Sequence, residues 1–210
     1  MSDQEKYNRI FEANNKWIEK NKIDNPGLFK LLAADQHPDF LYIGCSDSRV
    51  HPNQVMGLKP GEVFIHRNIA NMVIATDLSA LSVINYGVEY LKVKFIIVCG
   101  HYGCGGIEAA MKKSDYGILN PWLRSIRDVY HLHKEELAAI DDIGARHRRL
   151  VELNTYEQCR NIIKMGFSSI WTANLIRLKR FMILQAILKI EEFHCIYNII
   201  TPFFLFRYPA

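Results

Sequence analysis

The sequence predicts an α/β fold in which a central, mostly parallel β-sheet is flanked by helices. Three short apolar segments of strand length, residues 40–43, 62–65 and 95–99, alternate along the chain with longer amphipathic segments. At 210 residues the chain is long enough for one good core and short for two domains. We therefore expect one α/β domain over residues 1–165, which includes an N-terminal helical arm.

The helices are predicted from the spacing of apolar residues and from capping and turn residues. Residues 4–20 carry apolar side chains near i, i+3, i+4 and i+7, which is typical of an amphipathic helix that needs a surface to lie on. The Asn25-Pro26-Gly27 turn ends this region. Asp77 or Ser79 can cap a helix that extends to about Leu91. The other predicted helices cover residues 28–34, 105–113, 120–140 and 145–165.

The C-terminal part of the sequence differs in pattern from the rest. From Phe167 onward the alternation of polar and apolar residues becomes irregular, and we treat residues 166–210 as a divergent hydrophobic and basic tail rather than a separate domain. Residues 181–190 could form a helix. Residues 195–206 are almost continuously apolar but too few to cross a bilayer, which needs about 20 residues. We expect this segment to be a buried strand or an oligomer contact.

Charge and cysteine content exclude several classes of function. The formal net charge is only +4, and the basic residues are scattered through amphipathic segments, which favours solvated helix faces over nucleic-acid binding. Five irregularly spaced cysteines argue against a disulfide framework and for reduced thiols in the cytoplasm. The first 20 residues include acids and no apolar run, so we expect neither a signal nor a transit peptide. Membrane association is not expected.

Two thiols and one imidazole lie just past the first and third predicted strands. Cys45 follows the first strand, and His101 and Cys104 form an H-x-x-C motif after the third. Parallel sheets bind ligands at the carboxyl ends of their strands, and thiolate with imidazole suits Zn²⁺. Alternatively, the cysteines are small buried hydrophobes and His101 caps a turn. Strand-end placement, with several neighbouring glycines, favours an open, catalytic zinc site with three protein ligands.

Asp47 and Arg49 follow Cys45 directly. Their i, i+2 spacing allows a bidentate carboxylate–guanidinium bridge if the backbone is extended or turned there. Near a zinc ion, Asp47 could accept a hydrogen bond from zinc-bound water, or it could be freed from Arg49 and bind the metal. The pair could also be an ordinary turn-stabilising ion pair.

Three segments together closely resemble the β-class carbonic anhydrases. They are Cys-Ser-Asp-Ser-Arg at 45–49, Pro-Gly-Glu-Val-Phe at 60–64 with Arg-Asn-Ile-Ala-Asn at 67–71, and Gly-His-Tyr-Gly-Cys-Gly-Gly at 100–106. The resemblance covers about residues 25–165. It implies a zinc lyase that interconverts carbon dioxide and bicarbonate through attack by zinc-bound hydroxide. It also implies one Zn²⁺ per chain held by Cys45, His101 and Cys104, with Asp47 and Arg49 as the catalytic dyad.

The resemblance further implies a substrate pocket and an oligomer. By position, Gln36, Phe64 and Tyr86 match pocket residues that lie at a dimer interface in the family. Gly105 would offer its amide to the substrate, and Ile69 would add an apolar wall. The N-terminal helices would pack on a partner subunit of a homodimer or higher homo-oligomer. The tail departs from the strand-forming segment that usually closes the family's sheet.

Two other functions remain open. The same fold and metal could hydrolyse carbon disulfide or carbonyl sulfide. Alternatively, the chain could be a folded zinc protein that is inactive or regulatory because its tail is altered.

Overall fold

The computed structural model describes residues 1–164, 182–190 and 194–200 of the chain. The chain divides into two compact units, which are Met1–Gln36 and His37–Ala210. The first unit holds helices α1 (Asp3–Asp24) and α2 (Leu28–Ala34). Ser2 caps α1, because its hydroxyl accepts from the Glu5 amide while the Glu5 carboxylate accepts from the Ser2 amide. No residue of α1 is buried in the described chain, although the helix carries the exposed rings of Tyr7, Phe11 and Trp17.

The second unit is built on a sheet whose described strands are β1 (Phe40–Cys45), β2 (Val63–Asn68), β3 (Phe95–His101), β4 (Met182–Lys189) and β5 (His194–Ile200). Their order is β2-β1-β3-β4-β5. The first four run parallel, and β5 is antiparallel to β4. The predicted α/β class and mostly parallel sheet are therefore confirmed.

Side chains of β1 and β3 are buried on both faces of the sheet. Leu41 and Ile43 pack in one core cluster, and Tyr42 packs in another. Burial on both faces explains why these strands are continuous apolar runs rather than alternating ones. The α-helices that the structure describes in this unit are α3 (Pro52–Met56), α4 (Leu78–Asn85), α5 (Gly105–Met111), α6 (Asn120–Leu132), α7 (Lys134–Ala138) and α8 (Ile143–Lys164).

Two predicted helices differ in extent from the observed ones. The helix predicted over 120–140 is broken at His133, which separates α6 from α7. The helix predicted to reach Leu91 is α-helical only to Asn85 and continues as a π-helical segment, Tyr86–Tyr90. Both differences concern where the hydrogen-bond pattern changes, which apolar spacing does not encode.

The prediction of a helix over 181–190 is wrong. This part of the chain forms β4, which pairs in parallel with β3 from Phe95↔Met182 to His101↔Leu188. Ala186, Ile187 and Leu188 are all buried. A short apolar run can form either a buried strand or a buried helix. Here the run forms a strand because its backbone pairs with the edge of β3 that β1 leaves free. The strand predicted within 195–206 is confirmed as β5 up to Ile200; residues 201–206 lie outside the described chain.

Among the helices that the structure describes, none is both long enough and apolar enough to cross a lipid bilayer.

Candidate metal centre

The three predicted ligands converge at the carboxyl end of the sheet. Cys45 ends β1, His101 ends β3, and Cys104 is the N-cap residue of α5. Because β1 and β3 are adjacent and parallel, their ends meet although the residues are far apart in sequence. All three side chains are buried, and their candidate ligand atoms lie within 4.8 Å of one another.

The distances between these groups fit a tetrahedral zinc ion. The sulfur atoms of Cys45 and Cys104 are 3.9 Å apart, far beyond a disulfide bond. Two thiolates at Zn–S distances of about 2.3 Å and a tetrahedral angle would be about 3.8 Å apart. The pair is therefore spaced for a shared ion.

His101 supplies the clearest sign that this centre is built to hold a cation. Its Nδ1 atom is 3.0 Å from the carbonyl oxygen of Tyr102, so Nδ1–H donates and the lone pair lies on Nε2. Nε2 is buried and has no hydrogen-bond partner among the described residues. A buried polar atom without a partner requires an explanation, and a metal ion beside the two sulfurs provides it.

The two thiols are electrostatically unequal. A hydrogen bond from the Cys104 thiol lowers the pKa of Cys45, despite the opposing effect of burial. The same interaction and burial raise the pKa of Cys104. The shared hydrogen bond thus favours a single thiolate in this pair, and a bound cation would displace the remaining proton.

Asp47 and Arg49 form the predicted bidentate pair at the edge of this centre. Arg49 Nε donates to Asp47 Oδ1 at 2.9 Å, and Nη2 donates to Oδ2 at 2.7 Å. These hydrogen bonds hold the pKa of Asp47 well below its usual range. Arg49 Nη2 also donates to the Gly103 carbonyl at 3.2 Å, which links the pair to the His101–Cys104 turn. Asp47 is therefore an ionised acceptor that Arg49 orients.

Arg67 contributes to the centre, although its place in the 67–71 segment did not by itself indicate a role. Its Nε atom donates to the carbonyl of Cys45 at 2.8 Å, and Nη2 donates to the carbonyl of Asp47 at 2.6 Å. It therefore fixes the backbone on which the first ligand and the acid are carried. The β1–β2 register, with Gly44 opposite Arg67, creates this contact, and register is not visible in a single segment.

The loop after β2 passes beside Cys45. The amide of Ala70 donates to Cys45 Sγ at 3.4 Å. A Cβ added to Gly106 would lie 2.6 Å from Ile69 Cγ2, so glycine there permits the first turn of α5 to approach this loop. A Cβ added to Gly105 would meet nothing within 4 Å, so packing does not explain that glycine.

The predicted pocket residues are only partly brought together. The rings of Phe64 and Tyr86 are neighbours, with centroids 5.8 Å apart, and Tyr86 is 45% exposed. Ile69 is 39% exposed, and its carbonyl accepts from Trp122 Nε1. Gln36 ends the other compact unit, and its part in a pocket stays a prediction.

Comparison with known proteins agrees with the site. The family model described as carbonic anhydrase matches residues 40–192. A carbonic anhydrase of Emericella nidulans is 61% identical over 158 residues, which cover 75% of this chain and 69% of the relative. One of Saccharomyces cerevisiae is 34% identical over 163 residues, covering 74% and 73%.

Comparison with solved structures identifies the class of carbonic anhydrase. A tetrameric β-carbonic anhydrase of Sordaria macrospora has a TM-score of 0.84 and 34% identity, covering 92% of this chain and 96% of its own. A β-carbonic anhydrase of Aspergillus fumigatus has a TM-score of 0.85 and 35% identity, covering 92% and 90%. The chain belongs to the carbonic anhydrase family, and within it to the β class. The match to residue 192 extends beyond residue 165 and includes β4.

Proposed function

We propose that the chain catalyses the reversible hydration of carbon dioxide to bicarbonate and a proton, with one Zn²⁺ per chain held by Cys45, His101 and Cys104. The observation that carries this proposal is the buried Nε2 of His101, which has no hydrogen-bond partner in the described part of the chain and lies beside two sulfurs 3.9 Å apart. When bound, zinc would supply the Lewis acidity that makes water available as a nucleophile near neutral pH.

Asp47 orients the nucleophile in this proposal. Its ionised carboxylate can only accept hydrogen bonds, so it would accept a hydrogen bond from the attacking oxygen and thereby direct a lone pair of that oxygen at the carbon of carbon dioxide. Oδ2 lies 3.7 Å from His101 Nε2, which places the acceptor beside the ligands. Becoming a fourth ligand instead would cost Asp47 its bonds from the Arg49 side chain, so we favour the orienting role.

The substrate would lie against apolar side chains that a second subunit helps to enclose. Phe64, Ile69 and Tyr86 would form the apolar wall, and Gln36 and the Gly105 amide would bind the substrate oxygens. The exposed rings on α1 and at Tyr86 support a homo-oligomer, as does the tetrameric relative from Sordaria macrospora. We propose at least a homodimer, with the N-terminal helices on the partner.

The structure weakens the basis for an inactive protein. That alternative rested on the altered tail, but β4 pairs with β3 as far as His101, so the strand that carries the histidine has a neighbour on each side. No contact among the described residues favours hydrolysis of carbon disulfide or carbonyl sulfide over hydration of carbon dioxide. We also infer a reducing compartment such as the cytoplasm, since Cys45, Cys104 and Cys159 are buried thiols that form no disulfide with one another.

The test compares Cys45→Ala with Cys159→Ala, a matched removal of a buried thiol on α8 away from the ligands. Zinc per chain, carbon dioxide hydration and carbon disulfide hydrolysis are measured on each purified protein. We expect wild type and Cys159→Ala to hold one zinc and hydrate carbon dioxide, and Cys45→Ala to lose both properties. Wild-type protein without zinc, or with zinc and only carbon disulfide hydrolysis, would overturn the proposal.

A further inference from the structure

The loop of residues 69–73, which we call the 69–73 loop, lies against the metal centre in a costly conformation. Ala70 and Asn71 have φ values of 63° and 50°, in the left-handed region that non-glycine residues avoid. Such a conformation persists only where surrounding contacts hold it. The residue that is held, Ala70, is also the one whose amide donates to Cys45 Sγ.

Helix α8 supplies those contacts from the opposite side of the loop. Asn154 Nδ2 donates to the Ala70 carbonyl at 3.1 Å. Gln158 Oε1 accepts from the Val73 amide at 2.9 Å, and Asn161 Nδ2 donates to the Val73 carbonyl at 3.0 Å. Asn154 and Gln158 are both fully buried, so these hydrogen bonds are not in competition with water.

The orientation of the Asn154 amide is determined by its neighbour. Gln158 Oε1 is occupied by the donating Val73 amide, so the Nε2 end of Gln158 faces Asn154 and donates to its Oδ1 at 3.2 Å. Asn154 must therefore present its NH₂ group to Ala70. A flipped amide would place two acceptors together at the Ala70 carbonyl and two donors together at Gln158 Nε2, which a buried site does not tolerate.

We propose that Asn154 is a positioning residue for the metal centre. It holds Ala70 by the carbonyl so that the amide of the same residue points at Cys45 Sγ. The hydrogen bond from Ala70 withdraws electron density from the sulfur and fixes its direction, so Asn154 acts on the metal through Ala70 and Cys45. This inference rests on the proposed zinc site.

The experiment uses Asn154→Asp, which keeps the shape of the side chain and the acceptor for Gln158 but cannot donate to the Ala70 carbonyl when ionised. The matched control is Thr155→Val. Thr155 is the next residue of α8 and equally buried, but its hydroxyl donates to Val151 O within its own helix. Both variants remove one buried hydrogen-bond donor.

Two readouts are independent of turnover. The dissociation constant for Zn²⁺ is measured by chelator competition, and the thiolate-to-metal charge-transfer band is recorded with Co²⁺ in place of zinc. Loss of a partner behind a metal ligand typically weakens binding about 10–100-fold, and we expect Asn154→Asp to weaken it about 10-fold or more. The band should move to lower energy, because the sulfur lone pair loses its hydrogen bond. Thr155→Val should stay within about twofold of wild type in affinity, without a band shift.

An unchanged zinc affinity and band in both Asn154→Asp and Asn154→Ser would overturn the inference, as would equal losses in Thr155→Val. The serine variant is measured as well because a fully buried carboxyl at position 154 can keep its proton and donate as asparagine does. If Asn154→Asp does not fold, the same two measurements on Asn154→Ser test the inference. The serine side chain is too short for its hydroxyl to donate to the Ala70 carbonyl. Wild-type protein that binds no metal would instead refute the proposed function, and this inference with it.

Discussion

Oδ2 of Asp47 lies 3.7 Å from Nε2 of His101, and the same oxygen accepts a hydrogen bond from Arg49. Arg49 therefore holds the carboxylate beside the candidate metal ligands, and we propose that it acts there as an acceptor rather than as a fourth ligand. An ionised acceptor that is fixed by a guanidinium can orient a nucleophile but cannot protonate one. This relationship distinguishes the role of Asp47 from that of the cysteines, and it can be tested by mutation.

Replacing Asp47 by asparagine should reduce turnover while zinc remains bound. The amide can present NH₂ to the nucleophile and repel its proton, so we expect kcat for carbon dioxide hydration to fall by about 10²-fold or more. Asp39→Asn is the control, because Asp39 forms an ion pair with Lys94 at the opposite end of β1. Zinc content is measured beside kcat, and loss of zinc in Asp47→Asn would show that Asp47 is a ligand.

Carbon dioxide hydration should rise from about pH 6.5 to 9 at constant zinc occupancy. Two thiolates would neutralise the charge of the ion, so the nucleophilic water should be less acidified than beside three imidazoles. The rise cannot come from Asp47. Hydrogen bonds from Arg49 hold the pKa of Asp47 well below its usual range, so its carboxylate is already ionised throughout this interval.

A flat pH profile over the same interval would contradict this prediction. The measurement needs buffers of matched ionic strength, because screening changes the interactions of exposed charges such as Arg49.

Gly106 and Gly105 provide a matched pair for the packing of α5. A Cβ at Gly106 would lie 2.6 Å from Ile69 Cγ2 and 3.3 Å from Ala70 Cβ, whereas one at Gly105 would meet nothing within 4 Å. We expect Gly106→Ala to lower the free energy of unfolding by about 1–2 kcal/mol. Gly105→Ala should leave it unchanged or slightly raised, since alanine favours helix.

Urea denaturation of the two glycine variants is the measurement. Equal free energies of unfolding for Gly106→Ala and Gly105→Ala would mean that the 69–73 loop moves to accommodate the added methyl group. Gly106 would then not be required for α5 to approach the loop.

The exposed rings near β2 should belong to a subunit contact. Tyr86 and Tyr90 are 45% and 69% exposed, and their rings stack with centroids 5.3 Å apart. A charge buried in an apolar contact is costly, so Tyr90→Asp should shift the oligomer toward smaller species. The control is Ile118→Asp, at a side chain that is 97% exposed.

Sedimentation velocity at micromolar concentrations measures the effect of Tyr90→Asp. The same sedimentation coefficient for wild type and Tyr90→Asp would place the subunit contact elsewhere on the protein.

Much of the site was predictable because its residues lie in short segments with strong local signals. Cys45 and the His101–Cys104 motif each follow an apolar run, and parallel strands deliver such segments to one edge of the sheet. The pairing of Asp47 with Arg49 depends on two residues only. These features need no knowledge of distant contacts beyond the class of fold.

The sequence by itself therefore determined the α/β class, strands β1 to β3, the three candidate ligand residues and the acid beside them. Only the tertiary structure decided that Met182–Lys189 is a strand, that Arg67 fixes the backbone after β1, and that Asn154 holds Ala70 against Cys45. The reason is physical. Apolar runs and turns are local properties of the chain, whereas a strand partner, a register and a buried hydrogen bond exist only once separate segments are packed together.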